Sequence, residues 1–211
     1  LAFYNCRSLQ AFEVDESSQF FAAPFGVLYT KDMRELVKCP MALYAEEYVV
    51  PNGVGVIRAE AFASCTNIRK FNLPGTLTAI GECAFERCEM SSIVIPQTVT
   101  DIGNSAFNRC ENLESLVLPE GTQEIRSLTL HGCKSLSYVY IPAGVTEFGM
   151  WAIADCPSLT MINSQITDID KVKVNYSSYD ACYDAFADIP ADCTWRSRRS
   201  SNGCTTSPNR R

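Results

Sequence analysis

The sequence predicts a solenoid whose coils are about 23 residues long, with a parallel β-sheet along one side. Three recurring features support this prediction. A proline recurs at intervals of 23, 22, 23 and 23 residues, at Pro51, Pro74, Pro96, Pro119 and Pro142. A cysteine follows each proline by 14 residues, at Cys65, Cys88, Cys110, Cys133 and Cys156. An alanine-aromatic pair precedes most of these cysteines, intact at 61–62, 84–85 and 106–107 but replaced by Thr129-Leu130 and Ala152-Ile153 further along.

The segment before each proline follows the pattern L-x-x-V-x-I and predicts a short strand, which pairs in register with its neighbours about 4.8 Å away. Because side chains alternate between the two faces of a strand, we expect one set to point inward. The inward set is Phe71, Leu73, Ile93, Ile95, Leu116, Leu118, Val139 and Ile141. Proline then ends each strand, since it cannot donate the next hydrogen bond of the ladder.

The residues after each proline complete the coil. A V-x-x-I segment is expected to cross the far side, and the A-F-x-x-C turn is expected to bring an aromatic ring and a thiol into the core. No coil could bury its apolar face alone, so the stack is predicted to fold as one unit.

The chain contains 11 cysteines, and six of them, Cys6 included, are predicted to share one buried, reduced position in successive coils. The other five lie off this ladder: Cys39, Cys83, Cys182, Cys193 and Cys204. If the chain contains a disulfide, we expect it among the last three of these. The sequence has no C-x-x-C pair and only one histidine, His131. We therefore expect no metal site and no cofactor.

Charge and composition exclude several partners. The net charge is −6, but the last sixteen residues hold five arginines and no acidic residue, which leaves 13 basic and 24 acidic residues and a net charge of −11 in the rest. Such an acidic chain repels nucleic acid and anionic lipid. No apolar run approaches the roughly 18 residues of a membrane helix, so no membrane insertion is expected within this chain.

A catalytic role is not expected. His131 falls in an "LHGC" turn that we predict to be exposed, away from an activated nucleophile. The carboxylate pairs at 168 and 170 and at 180 and 184 are ordinary features of an acidic surface. The Gly53-Val54-Gly55 segment follows a repeat proline and lacks the strand-then-helix context of a phosphate-binding loop.

Two segments carry a family resemblance. "VIPQTVTDIGNSAFNRCENLESLVLP", residues 94–119, closely resembles the repeat of BspA-like, or Treponema pallidum-type, leucine-rich-repeat proteins. "FEVDESSQFFAAPFGVLYTKDMRELVKCP", residues 12–40, is similar to the hairpin module of the same family. Ser18 and Phe25 depart from the asparagine and aspartate usual there. The hairpin is predicted as strand, turn around 31–34 and strand, with Gly26 free to adopt a positive φ.

The resemblance implies an α/β solenoid, a right-handed leucine-rich-repeat superhelix with a β-hairpin inserted near the N-terminus. It also implies a secreted or cell-surface bacterial protein, with any targeting signal outside this chain. The expected function is non-catalytic adhesion or binding of a protein ligand, such as a host extracellular-matrix or cell-surface protein, by a monomer. The alternative is a structural spacer that carries another domain of a longer chain. The matching residues are core residues, so they transfer the fold and not a binding site.

The predicted organisation has five parts. Residues 1–14 form a partial repeat, 15–50 the hairpin insert, 51–163 five repeats, 164–195 a closing segment and 196–211 a basic tail. The tail "RSRRSSNGCTTSPNRR" is expected to be disordered or to come from a shifted reading frame, because no aliphatic residue follows Ile189.

The candidate binding residues are those that point outward from the predicted strands. One column contains Val94, Val117 and Tyr140, and the adjoining column contains Tyr138 and Met161. An outward face needs no such cluster for folding, and tyrosine is common at interface hot spots. The competing explanation is that β-branched and aromatic residues simply favour strands.

Overall fold

The computed structural model describes residues 3, 5–168, 171–174 and 185–197. Their strands, in chain order, are β1 Phe21–Ala22, β2 Leu28–Thr30, β3 Glu35–Lys38, β4 Ala45–Val49, β5 Val56–Ile57, β6 Ile68–Asn72, β7 Ala79–Ile80, β8 Asp101–Ile102, β9 Ser115–Val117, β10 Glu124–Ile125, β11 Tyr138–Ile141, β12 Glu147–Phe148, β13 Met161–Ser164, β14 Lys173–Val174 and β15 Thr194–Ser197. The described residues contain one helical element, the 3-10 turn Pro24–Gly26.

The strands confirm a solenoid of coils with parallel pairing. Strands that precede the repeat proline form the front sheet, which consists of the pair β4-β6 and the four-stranded set β15-β13-β11-β9. Strands that follow the proline form the second sheet, in the orders β1-β2-β3-β5-β7-β8 and β10-β12-β14. The hairpin strands β2 and β3 are antiparallel, and β3 continues the second sheet by pairing in parallel with β5.

The helical component of the predicted α/β solenoid is not confirmed. The A-F-x-x-C segment and the residue before it, here together called the cysteine turn, contain two residues of positive φ spaced four apart in each coil, which an α-helix cannot accommodate. In the best-matched coils these are Glu60 and Ser64, Cys83 and Arg87, and Ser105 and Arg109. Alternate amides therefore point along the stack rather than along a helix axis.

The cysteine turns form a ladder of hydrogen bonds between coils. The amides of Phe62, Phe85 and Phe107 donate to the carbonyls of Ala84, Ala106 and Thr129 at 2.8, 2.9 and 3.0 Å. The series begins with Cys39 N–H to Ala61 O and reaches Asp155 N–H to Ala187 O. The front and second sheets are each divided in two, but this ladder continues through every described coil.

The front sheet is interrupted in the coil that is one residue short. Seven residues separate Cys88 from Pro96, whereas eight separate the corresponding cysteine and proline in neighbouring coils. Met90 fills the buried position that a leucine or isoleucine holds elsewhere, and Ile93 and Ile95 still point inward. Residues 92–95 nevertheless form no strand.

The core is filled along the stack by residues that occupy equivalent positions. The rings of Phe62, Phe85 and Phe107 stack with centroids 5.3 and 5.5 Å apart. Smaller Leu130 and Ile153 take the next two positions. In the coil of Ile153, Phe148 stands where the other coils have isoleucine, and its larger ring offsets the lost volume. The ring centroids of Phe148 and Phe186 are 5.0 Å apart. All eight residues predicted to point inward from the strands are buried.

Close approach of coils requires glycine at selected positions. A Cβ added to Gly103 would overlap the backbone nitrogen of Glu82, and one added to Gly81 would lie 2.5 Å from that of Ala59. Gly26 adopts a φ of +77° in the hairpin module, beside Ala11. Phe25, which replaces the aspartate usual there, has a φ of 55°.

One cysteine assignment is corrected: Cys6 is exposed and does not share the buried position. Cys39 lies off the shared cysteine position, as predicted, and is fully buried. Its amide donates to Ala61 O as that of Phe62 donates to Ala84 O, so Cys39 occupies the position of the phenylalanine. Cys182 and Cys204, predicted as possible disulfide partners of Cys193, lie outside the described residues.

The closing segment forms a further coil. Strand β14 pairs with β12, and β15 pairs with β13. Trp195 in β15 packs on the core, and its ring centroid lies 5.4 Å from that of Phe186. Arg196 and Ser197, the first residues of the predicted basic tail, belong to this strand, and residues 198–211 lie outside the described part.

Candidate binding face

The candidate residues lie together on the outer face of the front sheet. Pairing of β9, β11 and β13 places Tyr140 opposite Val117, and Tyr138 between Ser115 and Met161. Val117 is 51% exposed and Val94 is 82% exposed. Tyr138, Tyr140 and Met161 are half-buried. We call these five residues the tyrosine patch: Val94, Val117, Tyr138, Tyr140 and Met161. Val94 lies in the interrupted coil, so no strand pairing fixes its position.

A polar network holds the two tyrosine hydroxyls. The Asn163 side-chain amide donates to the Tyr138 hydroxyl at 3.1 Å, and Gln165 donates to Asn163 Oδ1 at 3.0 Å. The Tyr140 hydroxyl donates to Glu120 Oε1 at 2.7 Å. Both rings are therefore oriented before any partner arrives, which reduces the entropy lost on binding.

The N-terminal part of the same face has a different character. Lys70 and Glu47 lie opposite each other and form an ion pair of 3.0 Å. Val49, 59% exposed, extends the column of Val94 and Val117 by two coils, although Asn72 interrupts it. Val49 was not among the predicted candidates, yet its position two residues before Pro51 could have revealed it.

The cysteine ladder is not a reactive site in the described structure. The thiols of Cys88, Cys110 and Cys133 donate to the carbonyls of Phe62, Phe85 and Phe107 at 3.1, 3.1 and 3.3 Å. Burial raises the pKa of Cys110 and of Cys156 to about 12 and raises the pKa of Cys133 well above its ordinary value, so these thiols remain protonated and poorly nucleophilic.

His131 is half-buried rather than exposed as predicted. Its Nδ1 lies 3.2 Å from Asn108 Oδ1, and its ring centroid lies 5.9 Å from that of Trp151. The Asn108 amide also donates to Glu86 at 3.2 Å, so its oxygen is the group that accepts from Nδ1–H. Burial lowers the pKa of His131, with a smaller opposing effect from Asp155. This row of side chains links coils and offers no nucleophile.

Metal-binding clusters and membrane-spanning helices are both missing from the described residues. Across the described ranges, no group of three or more histidine, cysteine or acidic side chains could hold a metal ion. None of the helices in the described part of the chain has the length and apolar character needed to cross a bilayer.

The fold and the repeat define a parallel β-solenoid of the leucine-rich-repeat class. The BspA-type leucine-rich repeat model matches residues 41–160 in six copies. Because this match covers more than half of the chain, the chain belongs to that family. No curated protein matches it.

Solved structures of bacterial proteins share this fold. A leucine-rich cell surface protein from Faecalibacterium prausnitzii is 27% identical with a TM-score of 0.77, over 83% of this chain and 48% of that one. A leucine-rich repeat protein from Eubacterium ventriosum is 20% identical with a TM-score of 0.73, over 90% and 58%. The leucine-rich repeat protein of T. pallidum is 24% identical with a TM-score of 0.58, over 75% and 72%. The chain thus spans about half the length of the first two.

Proposed function

We propose that this chain is a non-catalytic, protein-binding module of a bacterial protein that is secreted or held at the cell surface, and that it binds through the tyrosine patch. The Faecalibacterium prausnitzii relative is a leucine-rich cell surface protein, which supports this location. The proposed partner is a protein ligand, such as a host extracellular-matrix or cell-surface protein, bound by a monomeric, right-handed superhelix.

The observation that carries the proposal is the alignment of outward apolar side chains in neighbouring coils. Val117 and Tyr140 are cross-strand neighbours, and Tyr138 and Met161 are cross-strand neighbours in the adjoining column. Inward-facing residues already supply the core, so these four side chains are not required to fill it. Solenoids use extended faces of this kind for binding.

The spacer alternative also has one observation in its favour. The chain covers 48% of the Faecalibacterium prausnitzii relative, so a longer protein could carry its ligand site elsewhere. A spacer predicts that the tyrosine patch can be changed without loss of binding by the whole protein. The two functions are therefore separated by the same variants.

The test is the double substitution Tyr138→Ser with Tyr140→Ser. Binding is measured to a panel of immobilised extracellular-matrix proteins and to host epithelial cells, beside the melting temperature. We expect binding to be abolished and the melting temperature to fall only slightly, because cross-strand pairs contribute about 0.2–1 kcal/mol each.

Tyr44→Ser is the matched control. Tyr44 is 69% exposed and lies outside the patch, so this variant removes a surface tyrosine without touching the proposed site. Unaltered binding by the double variant, or a contact surface mapped to the hairpin at residues 25–36, would overturn the proposal.

A further inference from the structure

The centre of the tyrosine patch is bracketed by two carboxylates. Glu114 immediately precedes β9, and Glu120 follows the proline that ends the same coil's strand segment. Both side chains are exposed. Val117 lies between them, so an apolar strip has a negative charge on each rim. At the rise of an extended strand, the six residues from Glu114 to Glu120 set an upper limit of roughly 20 Å on the distance between their Cα atoms.

The basic groups near this part of the face are few and are placed away from its centre. Lys134 is paired with Glu111 at 2.9 Å. Arg196 lies in the edge strand β15, opposite Asn163 of β13. Glu89 accepts a hydrogen bond of 2.6 Å from the amide of Asn112, two residues before Glu114, and this bond leaves its negative charge in place. The two rims of the patch are therefore acidic.

We propose that the partner of the tyrosine patch is a basic protein segment, with apolar side chains at its centre and lysine or arginine at both ends. This inference rests on the proposed function and specifies the chemistry of its ligand. Valine or aromatic side chains of the partner would cover Val117 and Tyr140. Cationic side chains would reach Glu114 and Glu120, where opposite charge speeds encounter and fixes orientation.

The Tyr140 hydroxyl strengthens this chemistry. It donates to Glu120, so the carboxylate is held beside the ring rather than extended into solvent. A guanidinium or ammonium group that pairs with Glu120 would then lie near the Tyr140 hydroxyl, close to the centre of the patch. An acidic partner would meet repulsion from both rims.

The inference is tested with two extended peptides, acetyl-KKVYVKK-amide and acetyl-EEVYVEE-amide. Seven extended residues span roughly 23 Å, which is long enough to cover the backbone from Glu114 to Glu120. Binding is measured by NMR titration of the valine methyl groups, at low and at physiological ionic strength. We expect the lysine peptide alone to shift the Val117 methyl resonances, and to bind more weakly as salt rises.

The charge variants are Glu114→Gln with Glu120→Gln, and Glu13→Gln is the control on an exposed carboxylate outside the patch. We expect the double variant to weaken lysine-peptide binding about fivefold, since two exposed charge contacts together contribute about 1 kcal/mol. The control should leave affinity unchanged.

The outcomes separate this inference from the proposed function. Equal affinity for the two peptides, including no detectable binding of either, or full binding by the glutamine double variant, contradicts a basic partner. If Tyr138→Ser with Tyr140→Ser still abolishes binding to the matrix panel, the proposed function survives that result. Full lysine-peptide binding by the tyrosine variant would instead remove the patch as the site, and both proposals would fail.

Discussion

The cysteine turns and the front sheet respond differently to the same defect. The coil between Pro74 and Pro96 is one residue short. The turn ladder crosses it without a break, from Phe62 N–H to Ala84 O and from Phe85 N–H to Ala106 O. The front sheet is interrupted at residues 92–95. The turns therefore maintain the register of the stack. The front face can change in length and in side chains without disrupting that register.

The difference explains where variation accumulates. Inside the turns, side chains repeat because each must match the position above and below it, as the stacked rings of Phe62, Phe85 and Phe107 show. On the front face, outward residues change from Lys70 to Tyr138 across a few coils with no cost to the core. A binding site can be built on such a face more readily than in the turns.

The largest expected effect is in the turn. Phe107→Ala should lower the free energy of unfolding by about 3–5 kcal/mol, as for other fully buried aromatic residues. Neighbouring coils should melt with it, because each coil is stabilised by the next. Denaturant unfolding measures the change, and a loss below about 1 kcal/mol would show that the ring stack does not hold the coils together.

The second effect tests close packing between neighbouring coils. Gly103→Ala should cost about 1–3 kcal/mol, because the added methyl would overlap the backbone at Glu82. Gly75→Ala is the matched control, since a Cβ there meets no atom within 4 Å. Equal melting temperatures for the two variants would mean that the coils are not tightly stacked at Gly103.

The smallest effect is a gain in stability. Thr122 occupies the position that valine or leucine holds in neighbouring coils, and its hydroxyl, buried within the described core, has no hydrogen-bond partner. Thr122→Val should raise the free energy of unfolding by about 1 kcal/mol, because the desolvated hydroxyl is removed. Thr129→Val serves as the contrast, since the Thr129 hydroxyl donates to Arg126 O at 2.7 Å and its loss should not stabilise.

Much of this architecture could be predicted from the sequence because the repeat positions are set by burial. The period, the parallel strands and the inward set from Phe71 to Ile141 all follow from apolar spacing. The turn geometry could not, since its positive φ angles fall on residues such as Glu60 and Ser64 that carry no glycine signal.

The burial of Cys39 and the details of the face both depend on how neighbouring coils pair. Cys39 lies in a coil whose hairpin changes the spacing, so its buried position follows from backbone pairing and not from the period. On the face, outward direction could be predicted from alternation, whereas the hydrogen bond from Tyr140 to Glu120 depends on how neighbouring coils stack. Ligand identity is not encoded by either pattern.

The most direct test of the central claim, that the turns and not the front sheet hold the stack in register, is native-state hydrogen exchange. We predict slow exchange for the turn amides of Phe85, Phe107 and Leu130, which donate to the next coil at 2.9, 3.0 and 2.8 Å. We predict fast exchange for residues 92–95, although Ile93 and Ile95 are buried. Equal protection of residues 92–95 and the turn amides would contradict the claim, because it would show a continuous front sheet.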